Sequence, residues 1–265
     1  MNSIMENLRI PTLLGLLVLI AGVVGGVYLT SGNLNITSKA APGEQAKNIV
    51  VTNIEDGAAS ISWQTDSKVS GFITFGSNSP TQQTELDDRD TDSPTPRTTH
   101  HVTLSNLSPE TSYQFKVNSG KLSSQPQQFT TAKVSQQNGL KPIIGSVLDG
   151  SKPLSSGLVY LSIDGGLTQS AVVVNLGNFI IPISKIRKSD LSSVFTPGIG
   201  GSGRLLVYSE NGRHASATFT INGNGGLIGP LKLDADLDLT EVRGVSTSKT
   251  PTNAFELLRQ KTTNH

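Results

Sequence analysis

The chain has 265 residues, 21 Lys and Arg against 20 Asp and Glu, a net charge of +1 and no Cys. That length holds roughly two domains of about 100–150 residues each. The near-neutral charge excludes a general field for nucleic acid or anionic membranes, and the absent Cys excludes disulfides, thiolate metal sites and cysteine nucleophiles. With 32 Ser, 26 Thr, 27 Gly and only 15% charged residues, the composition disfavours helical bundles and suits short strands joined by many turns.

After a nine-residue head, Ile10 to Leu29 runs for twenty residues without a charge. As a helix this run spans about 30 Å, the thickness of a bilayer core. Pro11 falls in the first turn, where a missing N–H is tolerated, and Tyr28 falls near the far interface. A helix of a soluble protein would show a polar face, and this one has none. The run exceeds the apolar core of a signal peptide, and the one small-x-small site, Ser38-Lys39-Ala40, lies well past its end. The expectation is an uncleaved, single-pass anchor in a plasma membrane, with the bilayer as partner through Ile10 to Leu29. Charges flanking the run barely decide its orientation. The long polar remainder, with no second span to return it, places residues 1–9 inside and 30–265 outside. An exterior without disulfides suits a bacterial surface protein, and the two N-x-[ST] sites, Asn35 and Asn106, are then coincidental.

Residues 30–47 read as a stalk, and strand patterns begin at Asn48. Ile49–Ile54, Ser60–Trp63, Gly71–Gly76, Val102–Leu107, Tyr113–Val117 and the region of Phe129 alternate apolar and polar residues between turns, as in an antiparallel sandwich. Ile61-Ser62-Trp63 resembles the second strand of fibronectin type III domains, whose Trp packs into the core. Leu107-Ser108-Pro109-Glu110-Thr111-Ser112-Tyr113 resembles that family's L-x-P-x-T-x-Y signature. His100-His101-Val102-Thr103-Leu104 is similar to the fibronectin-like N-terminal domain of purple acid phosphatases. The resemblance covers about 48–132. It implies core roles for Trp63, Leu107 and Tyr113, with the Tyr113 hydroxyl bonded to nearby backbone. The acidic segment Thr84 to Arg97 departs from the pattern and leaves the middle strands open.

After a linker at 133–140, a second set of strands runs from Ile143 to Leu239, seven in all. Asn211-Gly212 marks a hairpin between Arg204–Tyr208 and Ala215–Ile221. Ser184–Lys188 suggests a helical turn, and Leu231–Leu239 reads as one strand with every odd position apolar. The string Ile-x-Gly-x-Val at 143–147, with Pro153, Gly157–Leu161 and Gly177-Asn178-Phe179, resembles carboxypeptidase regulatory-like, transthyretin-like domains over about 141–239. The other reading is an Ig-like sandwich of no particular family. Residues 240–265 read as a disordered tail with one helical turn at 254–260. The expected fold is therefore all-β: two tandem antiparallel, Ig-like β-sandwiches after a single N-terminal transmembrane helix.

Chemical motifs are weak. Gly198–Gly203 matches G-x-G-x-x-G, but Pro197 precedes it and a strand follows, so it lacks the strand-loop-helix context of a dinucleotide site. Adjacent His100 and His101 point to opposite faces of a strand and cannot chelate one metal. Asp88, Asp90 and Asp92 have the opening spacing of a calcium loop, making them weak metal candidates, but Ser93 stands where Gly is required and Thr99 where Glu closes the loop. Asp234, Asp236 and Asp238 read as a charged outer face. Ser, His and Asp are present, but no spacing assembles them, so no catalytic residue and no cofactor is expected. The resulting expectation is a non-catalytic surface protein using two sandwiches for adhesion or for envelope and protein interaction, with no nucleic acid. The alternatives are a carbohydrate-binding module, with Tyr160 and Tyr208 as glycan contacts, and, remotely, an accessory part of a secreted hydrolase.

Overall fold

The computed structural model describes residues 43–221 and 226–240. The apolar run at 10–29, the stalk up to residue 42 and the tail from residue 241 lie outside them. No helix among the described residues is long and apolar enough to cross a membrane.

The described chain is built from strands in four sheets. Sheet I orders β4 (Gln83–Leu86), β3 (Gly71–Gly76), β6 (Ser112–Ser119) and β8 (Gln127–Thr130), with the short β7 (Leu122–Ser123) also on β6. Sheet II orders β1 (Lys47–Thr52), β2 (Ala59–Val69) and β5 (Arg97–Leu104). Every pairing in this first sandwich is antiparallel. Its core follows the alternation of the strands: Ala59, Ile61 and Trp63 from β2 and Val102 and Leu104 from β5 meet Ile73, Phe75, Phe115 and Val117 from sheet I. The acidic segment left open by sequence supplies β4 and then a loop that returns to β5.

Sheet III orders β12 (Gln169–Val173), β11 (Gly157–Ile163), β14 (Ser202–Ser209), β15 (His214–Thr220) and β17 (Asp236–Leu239). Sheet IV holds β10 (Lys152–Pro153), β9 (Ile143–Asp149) and β13 (Asn178–Ile181), with β16 (Gly226–Lys232) on the free side of β9. A second core, including Val159, Leu161, Leu205, Val207, Phe179 and Ile181, fills the space between them. The Asn211-Gly212 hairpin is present, with Gly212 at φ +78° as the turn requires.

Three expectations for this second sandwich are corrected. The sheets are mixed, because β16 lies parallel to β9 and β17 parallel to β15. Leu231–Leu239 is two strands: Leu233 N–H donates to Leu148 of sheet IV, Asp234 N–H donates to His214 of sheet III, and Asp234 turns the chain with φ +64°. The apolar period survives the break because both halves border the same core. Ser184–Lys188 is no helix but a turn followed by Arg187 and Lys188, which form isolated bridges to Val194 and Gly166.

The two sandwiches pack face to face. Leu158, Tyr160, Leu206 and Tyr208 leave the outer face of sheet III and form, with Val50 of β1, a third buried cluster. The layers therefore stack in the order I, II, III, IV, and sheets II and III are covered on both sides.

Candidate functional site

The seam between sheets II and III gathers the polar side chains that sequence reasoning left unassigned. On sheet II, β2 and β5 alternate so that Ile61, Trp63, His100 and Val102 enter the core while Ser60, Ser62, His101 and Thr103 face the seam. Ser62 and the Tyr160 hydroxyl hydrogen-bond at 2.8 Å. Asn53 locks onto the backbone of β12, accepting from Ser170 N–H at 2.8 Å and donating to its carbonyl at 3.0 Å. Such contacts satisfy polar groups whose burial unpaired is costly.

One group within the seam has the connectivity of a hydrolytic triad. Asp88 Oδ2 lies 2.8 Å from His101 Nδ1, and His101 Nε2 lies 2.8 Å from Ser170 Oγ. An orienting carboxylate, a base and a hydroxyl follow in that order. Sequence reasoning expected no such assembly, and no sequence signal could supply it, because the residues come from two different sandwiches. The arrangement nevertheless offers no room for an acyl carbon. Ser170 is 4% exposed, and its Oγ also meets Thr52 Oγ1 and Asn53 Nδ2. As built, the three residues tie sheets together.

An ion network borders the same seam. Asp87 is buried and takes two bonds from the Arg89 guanidinium, at 2.7 and 2.8 Å, plus one each from the Arg89 and His101 N–H groups. Arg89 continues across the seam to Ser156 and Glu210. Glu210 in turn accepts from Thr98 N–H and from the hydroxyls of Thr98 and Thr99. Burial pushes both carboxyls up, but the hydrogen bonds and the Arg89 charge win, and both stay ionised below their ordinary range. At the other end, Lys185 pairs with Glu55 and Arg187 with Asp56, so the 184–203 loop also grips the first sandwich.

The weak metal candidates are dispersed into separate roles. Asp88 accepts from Thr103 N–H and meets His101, Asp90 pairs with Arg97 and accepts from Thr95 N–H, and Asp92 is exposed. No group of His, Asp or Glu among the described residues is arranged to hold a metal ion. Asp234 pairs with Arg213, and Asp236 accepts from the Ser216 hydroxyl. Tyr160 is 1% exposed and Tyr208 9%, both inside the seam, so neither presents a ring to a glycan. Trp63, Leu107 and Tyr113 lie in the first core, and the Tyr113 hydroxyl accepts from Ser108 N–H at 2.9 Å. The glycine-rich run ending at Gly203 is a loop that leads into β14.

A cleft of about 940 Å³ opens beside the seam. Ile49, Val51, Ile54 and Phe129 supply apolar lining, Gln127 and Gln128 polar lining, and Leu167 and Leu191 of the second sandwich border it. Among the described residues β1 pairs only with β2, and β8 only with β6, so two sheet edges border one concavity.

With this geometry in view, the first sandwich can be matched. Residues 45–131 match the family model of the purple acid phosphatase N-terminal domain. The match takes in the whole of β1 to β8 and both motifs around Trp63 and Tyr113. No curated protein matches the chain. Similar solved structures include the sensor domain of the anti-sigma factor RsgI4 of Pseudobacteroides cellulosolvens, at 20% identity and TM-score 0.28, over 34% of this chain and 77% of that one. The FN1-FN3 domains of chicken CNTN1 align at 16% identity and TM-score 0.26, over 78% of this chain and 67% of that one. A two-domain fibronectin type III segment of chicken tenascin aligns at 13% identity and TM-score 0.23, over 66% and 99%. At these scores the likenesses assign this chain no partner.

Proposed function

We propose that the chain is a non-catalytic, single-pass membrane protein of a bacterial surface, holding a stiff pair of β-sandwiches outside the cell for adhesion or for interaction with other envelope proteins. The observation that carries the reading is the uncharged run Ile10 to Leu29 followed by a long, strand-forming remainder with no second apolar run. The buried seam supports a spacer role, because two modules bound face to face keep one orientation where a flexible linker would let them tumble. The cleft between β1 and β8 supports a binding role, since open strand edges above an apolar floor suit an extended segment of a partner. The matched domain supports the non-catalytic reading, since the resemblance concerns the module that precedes a phosphatase and not the phosphatase itself.

Protease shaving of intact cells, followed by fractionation, tests this reading. The expected result is release of a folded fragment spanning about residues 43–240, with a peptide containing Ile10–Leu29 left in the membrane. Full protection of residues 43–240 in intact cells would reverse the topology. Recovery of a mature chain lacking Ile10–Leu29 would replace the anchor with a cleaved leader.

A further inference from the structure

A strand covered on both faces reads as a nearly continuous apolar run, because both sets of side chains leave water. Sheet III obeys this: Leu158-Val159-Tyr160-Leu161 and Leu205-Leu206-Val207-Tyr208 fill a core on one face and the seam on the other. Sheet IV shows the same signature in Ile143-Ile144, Phe179-Ile180-Ile181 and Leu227-Ile228. Its inner face packs in the second core, where Ile143, Phe179 and Ile181 are buried. Its outer face is one end of the four-layer stack.

The register lays that outer face out in rows. Ile180, Ile144 and Leu227 stand side by side across β13, β9 and β16, with exposures of 56%, 37% and 85%. Asn178 and Ser146 make the next row, and Pro153, Leu148 and Lys232 the last. Five of these eight positions are apolar, and Lys232, at a corner, is the one charge among them. Sheet I, the other end of the stack, is built the opposite way. Its outward rows hold Thr84, Thr74 and Lys116, then Gln114 and Gln128. Phe72 and Leu86 are the apolar exceptions there, and both are half-buried. The outer face of sheet I is thus made for water, whereas an exposed aliphatic row such as that of sheet IV marks a contact surface.

We propose that a second copy of this chain covers it, sheet IV against sheet IV, through Ile144, Ile180 and Leu227. Homodimer interfaces are more apolar and poorer in charge than those between separable proteins, and this face has that character. A face almost without charge is also its own complement, since a two-fold axis brings aliphatic side chains onto aliphatic side chains. With strands about 4.8 Å apart and about 3.3 Å per residue, the face measures roughly 15–20 Å each way. Two such pleated faces stacked together bury on the order of 1,000 Å², the lower limit for a specific contact, so the dimer is reversible. The pairing does not depend on the membrane anchor.

The chain has no Cys, so a single introduced Cys can be bridged only between two copies. In the full chain in detergent micelles, Ser146→Cys, in the middle row of the face, should be joined by a short bismaleimide at least tenfold faster than Thr74→Cys on the outer face of sheet I. Sedimentation of the unaltered full chain should show monomer passing to dimer over a hundredfold rise in concentration. Adding Ile180→Lys and Leu227→Lys puts like charges into the contact. It should bring the Ser146→Cys rate down to the control and leave only monomer. Both positions are exposed, so the new ammonium groups stay in water in the monomer, and an unchanged thermal midpoint of that monomer checks the fold. Equal rates for the two single-Cys chains, or a dimer that survives the Lys pair, would overturn the proposal. The first result leaves the face to a different cover, and the second places the contact elsewhere.

Discussion

At the scale of single residues, the centre of the first core is an aromatic stack with a titratable member. Trp63 and His100 face each other in register with ring centroids 4.6 Å apart and planes nearly parallel. Gly71 makes room, since a Cβ there would stand 2.6 Å from the Trp63 ring and 2.7 Å from His100 Nδ1. Among the described residues neither ring nitrogen of His100 has a hydrogen-bond partner. Burial therefore pulls its pKa down to about 4, against a smaller upward pull from Asp87. The unfolded chain takes up this proton near pH 6.5, while the folded chain refuses it until about pH 4. Stability is thus fully present above pH 6.5 and falls as pH drops through that window, by roughly 3 kcal/mol in all. Urea unfolding between pH 4 and 7 should show this slope, and His100→Phe, which keeps a stacked ring, should flatten it. Trp63 and Tyr113 were legible in the sequence because their motifs and the period of two agree. The burial of His100 was half legible: alternation put it opposite His101, but its polarity argued for the surface.

At the scale of elements, charge is used where the two inner sheets meet. Asp87 holds Arg89 with two bonds, and Arg89 reaches Glu210 on the far side. Removing one partner of a buried pair strands the other, so Asp87→Ala should destabilise the fold by roughly 3–5 kcal/mol. Glu210→Gln keeps the shape, and Arg89 keeps Asp87, so about 1–2 kcal/mol is expected there. Denaturant midpoints measured for both variants check the order, and an equal or reversed effect would remove Asp87 as the anchor of the network. The segment 84–97 read as an acidic loop because its residues count as charges one by one. In the fold Asp87 holds the Arg89 guanidinium, Asp88 meets the His101 ring and Asp90 pairs with Arg97, which spacing alone does not reveal.

At the scale of the whole molecule, the seam joins two separate cores. Hydrophobic burial across it and the paired charges at its ends couple their unfolding. Calorimetry of the described region should give one cooperative transition. Leu206→Asp places an unpaired charge at a position 3% exposed in the seam and should split that transition in two, leaving both sandwiches folded but independent. Two transitions in the unaltered protein would mean that the seam does not couple them.

The sequence by itself determined the all-β class, the strands of the first sandwich outside the 84–97 segment, the Trp63 and Tyr113 positions and the Asn211-Gly212 hairpin. Each of these depends on local alternation or turn chemistry, which neighbours along the chain decide. Only the tertiary structure decided that Ser60, Ser62 and His101 are buried, that Tyr160 and Tyr208 belong to a seam, that Asp88, His101 and Ser170 meet, and that the last strand changes sheets at Asp234. A polar strand face reads the same whether it meets water or another sheet's hydroxyls. The one available hint was the unbroken apolar run of β11 and β14, whose second face needed a cover. That cover is sheet II, whose own residues give no sign that they face another sheet.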